Sequence, residues 1–147
     1  MIFISHRGNL TGKNSKSENS LPYIKYAINL GFDVEIDVWY IDGDYWLGHD
    51  EPQYLTEESF LENEKLWCHS KNIEGLHKML QNEKIHCFWH QEDACTLTSN
   101  GFVWTYPGQD IYEKSIYVDL CPPNYKNISC SGICSDYILA YKHVAQI

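Results

Sequence analysis

Short apolar runs, each closing on a polar side chain, recur along the chain. They are IFISH at 2–6, DVEIDVWY at 33–40, LWCHSK at 66–71, IHCFWH at 85–90, CTLTS at 95–99, FVWTY at 102–106, SIYVDL at 115–120 and GICSDY at 132–137. Runs of this length, rich in β-branched and aromatic residues, predict strands. DYWLGH at 44–49 extends the second run after a reversal at Asp42 and Gly43, a hairpin signal. Between the early runs the apolar spacing turns helical. SLPYIKYAINLG, 20–31, is apolar at 21, 24, 27, 28 and 30, with Ser20 as N-cap, Pro22 in the first turn and Gly31 at the close. EESFLENE, 57–64, predicts a shorter helix capped by Thr56. NIEGLHKMLQNE, 72–83, predicts one capped by Asn72, with apolar residues at 73, 76, 79 and 80. NLTGKNSKSEN, 9–19, is a loop by composition.

Strands alternating with helices predict βα units and a parallel sheet, and eight runs predict a (β/α)8 barrel. Length modifies that expectation. Such a barrel takes about 250 residues, and this chain has 147. The stretches from His90 to Thr96 and from Ser99 to Phe102 are shorter than the roughly 10–12 residues a parallel crossover needs. The expected fold is therefore a miniature (β/α)8 TIM-like barrel, with several helices shortened or missing in the second half. No linker, low-complexity tract or fixed-period repeat divides the chain, which predicts a single domain over 1–147.

Charge narrows the partners. A formal net charge of −9 disfavours nucleic acid or anionic membrane held by a basic patch, yet leaves room for a phosphate ester in a local pocket. No segment approaches the roughly 20 apolar residues of a membrane span. The start, MIFISHRG, lacks the charged and long apolar regions of a secretory signal, so a cytoplasmic location is expected. The six cysteines, at 68, 87, 95, 121, 130 and 134, then read as reduced thiols, mostly buried. Cys130 and Cys134 have no second Cys or His pair at zinc-finger spacing.

The second run carries the chemistry. Glu35 and Asp37 interrupt an apolar strand on one face, roughly 6–7 Å apart. Two carboxylates there repel unless something positive lies between them, and a hard divalent cation takes oxygen ligands. HRG at 6–8 ends the first strand, and GHD at 48–50 supplies a second histidine. One imidazole can take a proton while another gives one, and the Arg7 guanidinium suits phosphate oxygens. His90, in FWHQ, ends the fourth run and is placed to reach the same mouth, as are Asp136 and Tyr137 from the last run. Trp39, Trp89 and Trp104 at strand ends read as packing. Tyr106, Pro107 and Gly108 read as a strand end entering a loop. His77, His86 and His143 read as structural or solvated.

This order of motifs resembles the glycerophosphodiester phosphodiesterase family of the wider phosphatidylinositol-phospholipase-C-like barrels. The likeness runs through HRG at 6–8, EN at 18–19, a helix, GFDVEIDVW at 31–39 and GHD at 48–50. More weakly it continues through SKN at 70–72 and GICSDY at 132–137. The resemblance implies His6 and His49 as an acid–base pair, and Glu35 and Asp37 as metal ligands. It implies Arg7 and Lys71 as phosphate holders, with Glu18 and Asn19 shaping the mouth. It also implies metal-assisted attack of a substrate hydroxyl on phosphorus, with a cyclic phosphate formed and then hydrolysed. The expected substrate is a small glycerophosphodiester-like molecule. The family's long insertion after the second strand has no counterpart here, which implies an open mouth. The sphingomyelinase-D-like branch shares two histidines and the Glu-x-Asp pair, but HRG favours the first family.

One position departs from the family. Where the resemblance implies a third acidic ligand, two residues before the lysine, this chain has His69. Mg²⁺ or Ca²⁺ is the ion expected of the carboxylates, and His69 as a ligand introduces Mn²⁺ or Zn²⁺. Glu51 and Asp119 are candidate replacement carboxylates. His69 also opens two alternatives: two carboxylates and waters hold the ion, or the fold binds phosphate esters or sugar phosphates without turnover. A cysteine-based redox or zinc protein is the remaining rival.

Overall fold

The computed structural model describes residues 1–124 and 129–145. The chain opens with β1 (Ile2–His6), α1 (Leu21–Asn29), β2 (Asp33–Ile41), β3 (Asp44–Leu47), β4 (Tyr54–Thr56) and the single-turn α2 (Glu58–Leu61). It continues with β5 (Leu66–Ser70), α3 (Ile73–Leu80), β6 (Cys87–Phe88) and β7 (Cys95–Leu97). It ends with β8 (Val103–Thr105), β9 (Ser115–Val118), β10 (Gly132–Ser135) and α4 (Ile138–Val144).

The strands form one curled mixed sheet, a half-barrel of ten strands with about 20% of the chain helical. Parallel pairing runs β6–β5–β2–β1–β10–β9–β8. Two antiparallel pieces complete it: β3 and β4 fold back on the far half of β2, and β7 folds back on β8. The miniature (β/α)8 TIM barrel expected from the sequence is thus corrected. Connection length is the cause. The four residues from Ser99 to Phe102 can turn a hairpin but cannot carry a crossover helix, so 95–99 and 102–106 pair antiparallel. Among the described residues, no helix follows β6, β7, β8 or β9. The ends of the sheet meet through isolated hydrogen bonds rather than a strand ladder: Ser99 N–H to the Cys87 carbonyl at 2.8 Å, and Thr96 Oγ1 to the Trp89 carbonyl at 2.7 Å.

Strand alternation sorts the interior into two apolar clusters. Val34, Ile36, Val38, Cys68 and Ile133 face the helices and pack with Ile24, Ala27, Met79 and Ile138. Ile4, Trp67, Phe88, Trp104, Ile116, Val118 and Cys134 fill the concave side. Glu35 and Asp37 alternate with the first set on β2, so their carboxylates enter the concavity above the second. The three helices that the spacing predicts form, with shorter bounds, and α4 is an addition the spacing did not predict. The Asn72 side chain accepts from Gly75 N–H at the start of α3 and from Tyr40 N–H on β2, tying helix to strand. Ser20 precedes α1 as its cap residue, but its hydroxyl donates to the Ser17 carbonyl. α2 starts after Glu57, and Thr56, expected as its cap, ends β4 instead. Among the described residues no helix is long and apolar enough to cross a membrane.

Candidate functional site

β1, β2 and β5 lie side by side, in registers that pair His6 with Glu35 and Asp37 with His69. The result is a compact cluster. Glu35, Asp37 and His69 are all buried and offer ligand atoms within 4.8 Å of one another. They can hold a metal ion, and the chemistry of the set agrees. Glu35 Oε2 and Asp37 Oδ1 are buried with no hydrogen-bond partner, an arrangement that costs free energy unless a cation or bound ligand satisfies it.

Protein cations already surround Asp37. Arg7 Nε lies 3.0 Å from its Oδ2, His69 Nδ1 3.2 Å from its Oδ1 and Lys71 Nζ 3.5 Å from its Oδ1. The His69 contact is close enough for ionic attraction but not aligned as a hydrogen bond. Burial alone would raise the Asp37 pKa. His69, Arg7 and Lys71 outweigh it and hold the carboxyl well below the usual range. His69 mirrors this: burial would lower its pKa, but Asp37 and Glu35 raise it to about 9. Its Nε2 meets the His90 carbonyl at 3.3 Å, so both ring nitrogens face oxygen.

Asn19 fixes Asp37 in place. Its amide donates to Asp37 Oδ2 and accepts from Asp37 N–H, both at 2.9 Å. Glu18 accepts from Asn9 at 2.8 Å and from Arg7 at 3.4 Å. Arg7 and Asn19 both have left-handed backbones, with φ 54° and 62°, conformations that cost non-glycine residues energy and cluster at functional sites. The next residue, Gly8, has φ 95°, and a Cβ there would lie 2.6 Å from the Tyr23 ring. That close approach explains the glycine of HRG. The GHD turn has a similar cause, since a Cβ on Gly48 would overlap the Glu51 carbonyl oxygen.

His6 is oriented by Asp136, just beyond β10. Its Nδ1 lies 2.7 Å from Asp136 Oδ1, which also accepts from Asn9 at 2.8 Å. The other nitrogen, Nε2, faces Glu35 Oε2 at 3.8 Å. Burial opposes ionisation of Asp136, but the hydrogen bond and charge of His6 win and lower its pKa.

A cavity of about 430 Å³ opens over these groups, lined by His6, Arg7, Glu35, His49, His69 and Lys71. Trp89, His90, Trp104, Tyr106, Val118 and Leu120 line it too. His49 reaches this cavity from the loop after β3, with Nδ1 2.7 Å from the exposed carboxylate of Asp50. His90 stacks between His69 and Tyr106, with ring centroids 4.4 and 4.5 Å away. Burial first, then the nearby His69 cation, lower its pKa to about 4, so it stands as a neutral ring at pH 7.

Of the residues singled out in the sequence, His6, Arg7, Glu35, His49, His69, Lys71 and His90 line one cavity. Asp37 lies directly beneath, while Glu18 and Asn19 stand behind Arg7 and line a neighbouring one. Glu51 is exposed on that neighbouring cavity. Asp119 accepts from Tyr141 at 2.8 Å and from Cys121 N–H, away from the cluster. The sequence reading did not single out Asn9, and it took Trp89 as packing and Tyr106 as a strand end entering a loop; both line the cavity. The only signal for the last two was their place at the ends of inward-facing strands. All six cysteines are free, with Cys68, Cys87 and Cys134 buried but Cys95 and Cys121 exposed. None belongs to the metal-type cluster found among the described residues. Comparison with known protein families, curated proteins and solved structures finds no match for this chain.

Proposed function

We propose that this protein hydrolyses a small phosphodiester of the glycerophosphodiester type with the help of a divalent metal. The observation that carries the reading is the convergence of His6, Glu35, Asp37 and His69, from three adjacent strands, beneath a cavity that Arg7 and Lys71 also line. Each group has a chemical part. Arg7 and Lys71 bring positive charge for phosphate oxygens into a chain that is acidic overall. Glu35, Asp37 and His69 would hold the metal, and this mixed oxygen and nitrogen set suits Mn²⁺ or Zn²⁺ as well as Mg²⁺ or Ca²⁺. When bound, the metal supplies polarisation of a phosphoryl oxygen.

His6, with Nδ1 held by Asp136, keeps Nε2 directed at the cavity to take the proton of the attacking hydroxyl. His49, half-exposed at the rim, is placed to give a proton to the departing alkoxide. The substrate's own hydroxyl forms one P–O bond as the bond to the departing alcohol breaks. Water then opens the cyclic phosphate in a second step, with the two proton transfers reversed.

A specific observation favours a second reading. The protonated His69 ring, with Arg7 and Lys71, already compensates the carboxylates without any added ion. That suits a protein that binds phosphate esters without turning them over. Hydrolysis of glycerophosphodiesters over a panel of divalent metals separates the two. Turnover abolished by both His6→Ala and Glu35→Ala supports the enzyme, and tight ester binding with no turnover under any metal supports the binder.

A further inference from the structure

Arg7 and His49 line a second cavity as well, of about 340 Å³, which shares none of the first cavity's other lining residues. The two cavities differ sharply in chemistry. Every side chain around the second is polar or charged: Lys13, Ser15, Asp50, Glu51 and Gln53 join Glu18 and Asn19 there, beside Arg7 and His49. The first adds two indoles, a phenol, a valine and a leucine, beside His90 and Gln91. An anionic phosphorus centre held at Arg7 therefore has two exits, one hydroxyl-compatible and one flat and apolar.

We infer that the substrate is an unsymmetrical phosphodiester, with a hydroxyl-rich alcohol in the polar cavity and a flat aromatic or comparably apolar group against Trp89, Tyr106 and Leu120. The inference rests on the phosphodiester reading and deepens it. The polar cavity carries carboxylates, amides and a hydroxyl that can exchange hydrogen bonds with vicinal alcohols. Its lining is mainly polar, so it rewards an alkyl group less than the first cavity does. The aromatic side removes apolar area from water and offers ring faces for stacking. His90, wedged between His69 and Tyr106, continues that wall to the edge of the cluster.

Aryl esters such as nitrophenyl phosphates would confuse recognition with leaving-group acidity, so the probes are alkyl esters of similar basicity. Glyceryl 2-phenylethyl phosphate, glyceryl ethyl phosphate and bis(2-phenylethyl) phosphate are compared. Calorimetry on the full chain carrying His6→Ala gives affinity, and kcat/KM is measured on the wild type. The mixed glyceryl phenylethyl ester is expected to bind at least about tenfold tighter than either other probe, the gain from burying one phenyl ring. Leu120→Ala and Trp89→Ala should each narrow the phenyl preference, and Lys13→Ala with Gln53→Ala should narrow the glyceryl preference. Leu120 is partly exposed, so its replacement keeps the test open should the indole change impair folding.

Equal affinity of the phenylethyl and ethyl esters overturns the inference, as does a phenyl preference that survives both changes in the aromatic wall. Turnover without that preference leaves the hydrolase reading standing and removes only the unsymmetrical substrate. The preference without turnover leaves the specificity standing and removes the hydrolase.

Discussion

His6 Nδ1 and Asp136 Oδ1 are 2.7 Å apart although 130 residues separate them in the chain. The parallel pairing of β1 with β10 creates this contact, so the last strand sets the orientation of a side chain on the first. A carboxylate behind one imidazole nitrogen fixes which nitrogen faces the reacting group.

Asp136→Asn keeps the size of the side chain and removes its charge. On the hydrolase reading, turnover should fall by about 10²-fold, with KM changed far less, because Asp136 would then steady a proton-transfer residue rather than bind substrate. Steady-state kinetics of the folded variant check this. A matched fall in melting temperature with unchanged kcat would show a purely structural role.

Asn19→Ala removes two buried hydrogen bonds to Asp37 at once. The expected loss of stability is about 2–4 kcal/mol, read by urea denaturation. Asp50→Ala serves as comparison. Its carboxylate pairs with His49 at the exposed rim, and deleting an exposed pair should cost less than about 1 kcal/mol.

His69→Glu puts a third carboxylate beside Glu35 and Asp37. Without metal, the loss of the buried cation should destabilise the protein by about 3–5 kcal/mol. Mg²⁺ or Ca²⁺ should restore much of that, since the site then offers only oxygen ligands. Thermal melts with and without each ion test the pair of outcomes, and a variant indifferent to metal contradicts the assignment.

Two histidines set an acid limb of stability. Burial lowers His86 to about 4, where it pairs with Thr98 Oγ1 at 2.8 Å, and His90 is lowered to about 4 as well. Both are neutral in the fold, while the unfolded chain takes up a proton near 6.5. Stability is therefore lost as pH falls from 6.5 towards 4, by at most about 3 kcal/mol for His86. His69 behaves oppositely. Raised to about 9, it contributes fully below 6.5, and its contribution is lost as pH rises through 9 in metal-free protein. Denaturation between pH 4 and 9 should show a maximum near neutrality, and His86→Gln should flatten the acid side.

The site was more legible in the sequence than the fold was. HRG, Glu-x-Asp and the His-Ser-Lys of β5 are local patterns at strand ends, and parallel pairing of the three strands brings them together. Alternation on β2 alone puts Glu35 and Asp37 on the same face. The pairing of the sheet was not legible in the same way. Eight apolar runs look alike whether they pair parallel or antiparallel, and only the short link from Ser99 to Phe102 betrays the β7–β8 hairpin. Asp136 was visible as a polar end to the last run, but its partner depends on register across β1 and β10. Tyr106 and Trp89 carried no signal beyond a strand end. Whether such a ring packs inward or lines a cavity depends on how far the sheet curls.

The account turns on one cation and one phosphate sharing the space above Glu35 and Asp37. Crystals soaked in Mn²⁺ and inorganic phosphate, measured at the manganese absorption edge, test it most directly. The predicted result is an anomalous peak ligated by the carboxylates of Glu35 and Asp37, with phosphate beside it against Arg7 and facing His6. Manganese bound elsewhere, or phosphate in the cavity while His69 keeps its ion pairs and no metal enters, would contradict the metal-assisted hydrolase.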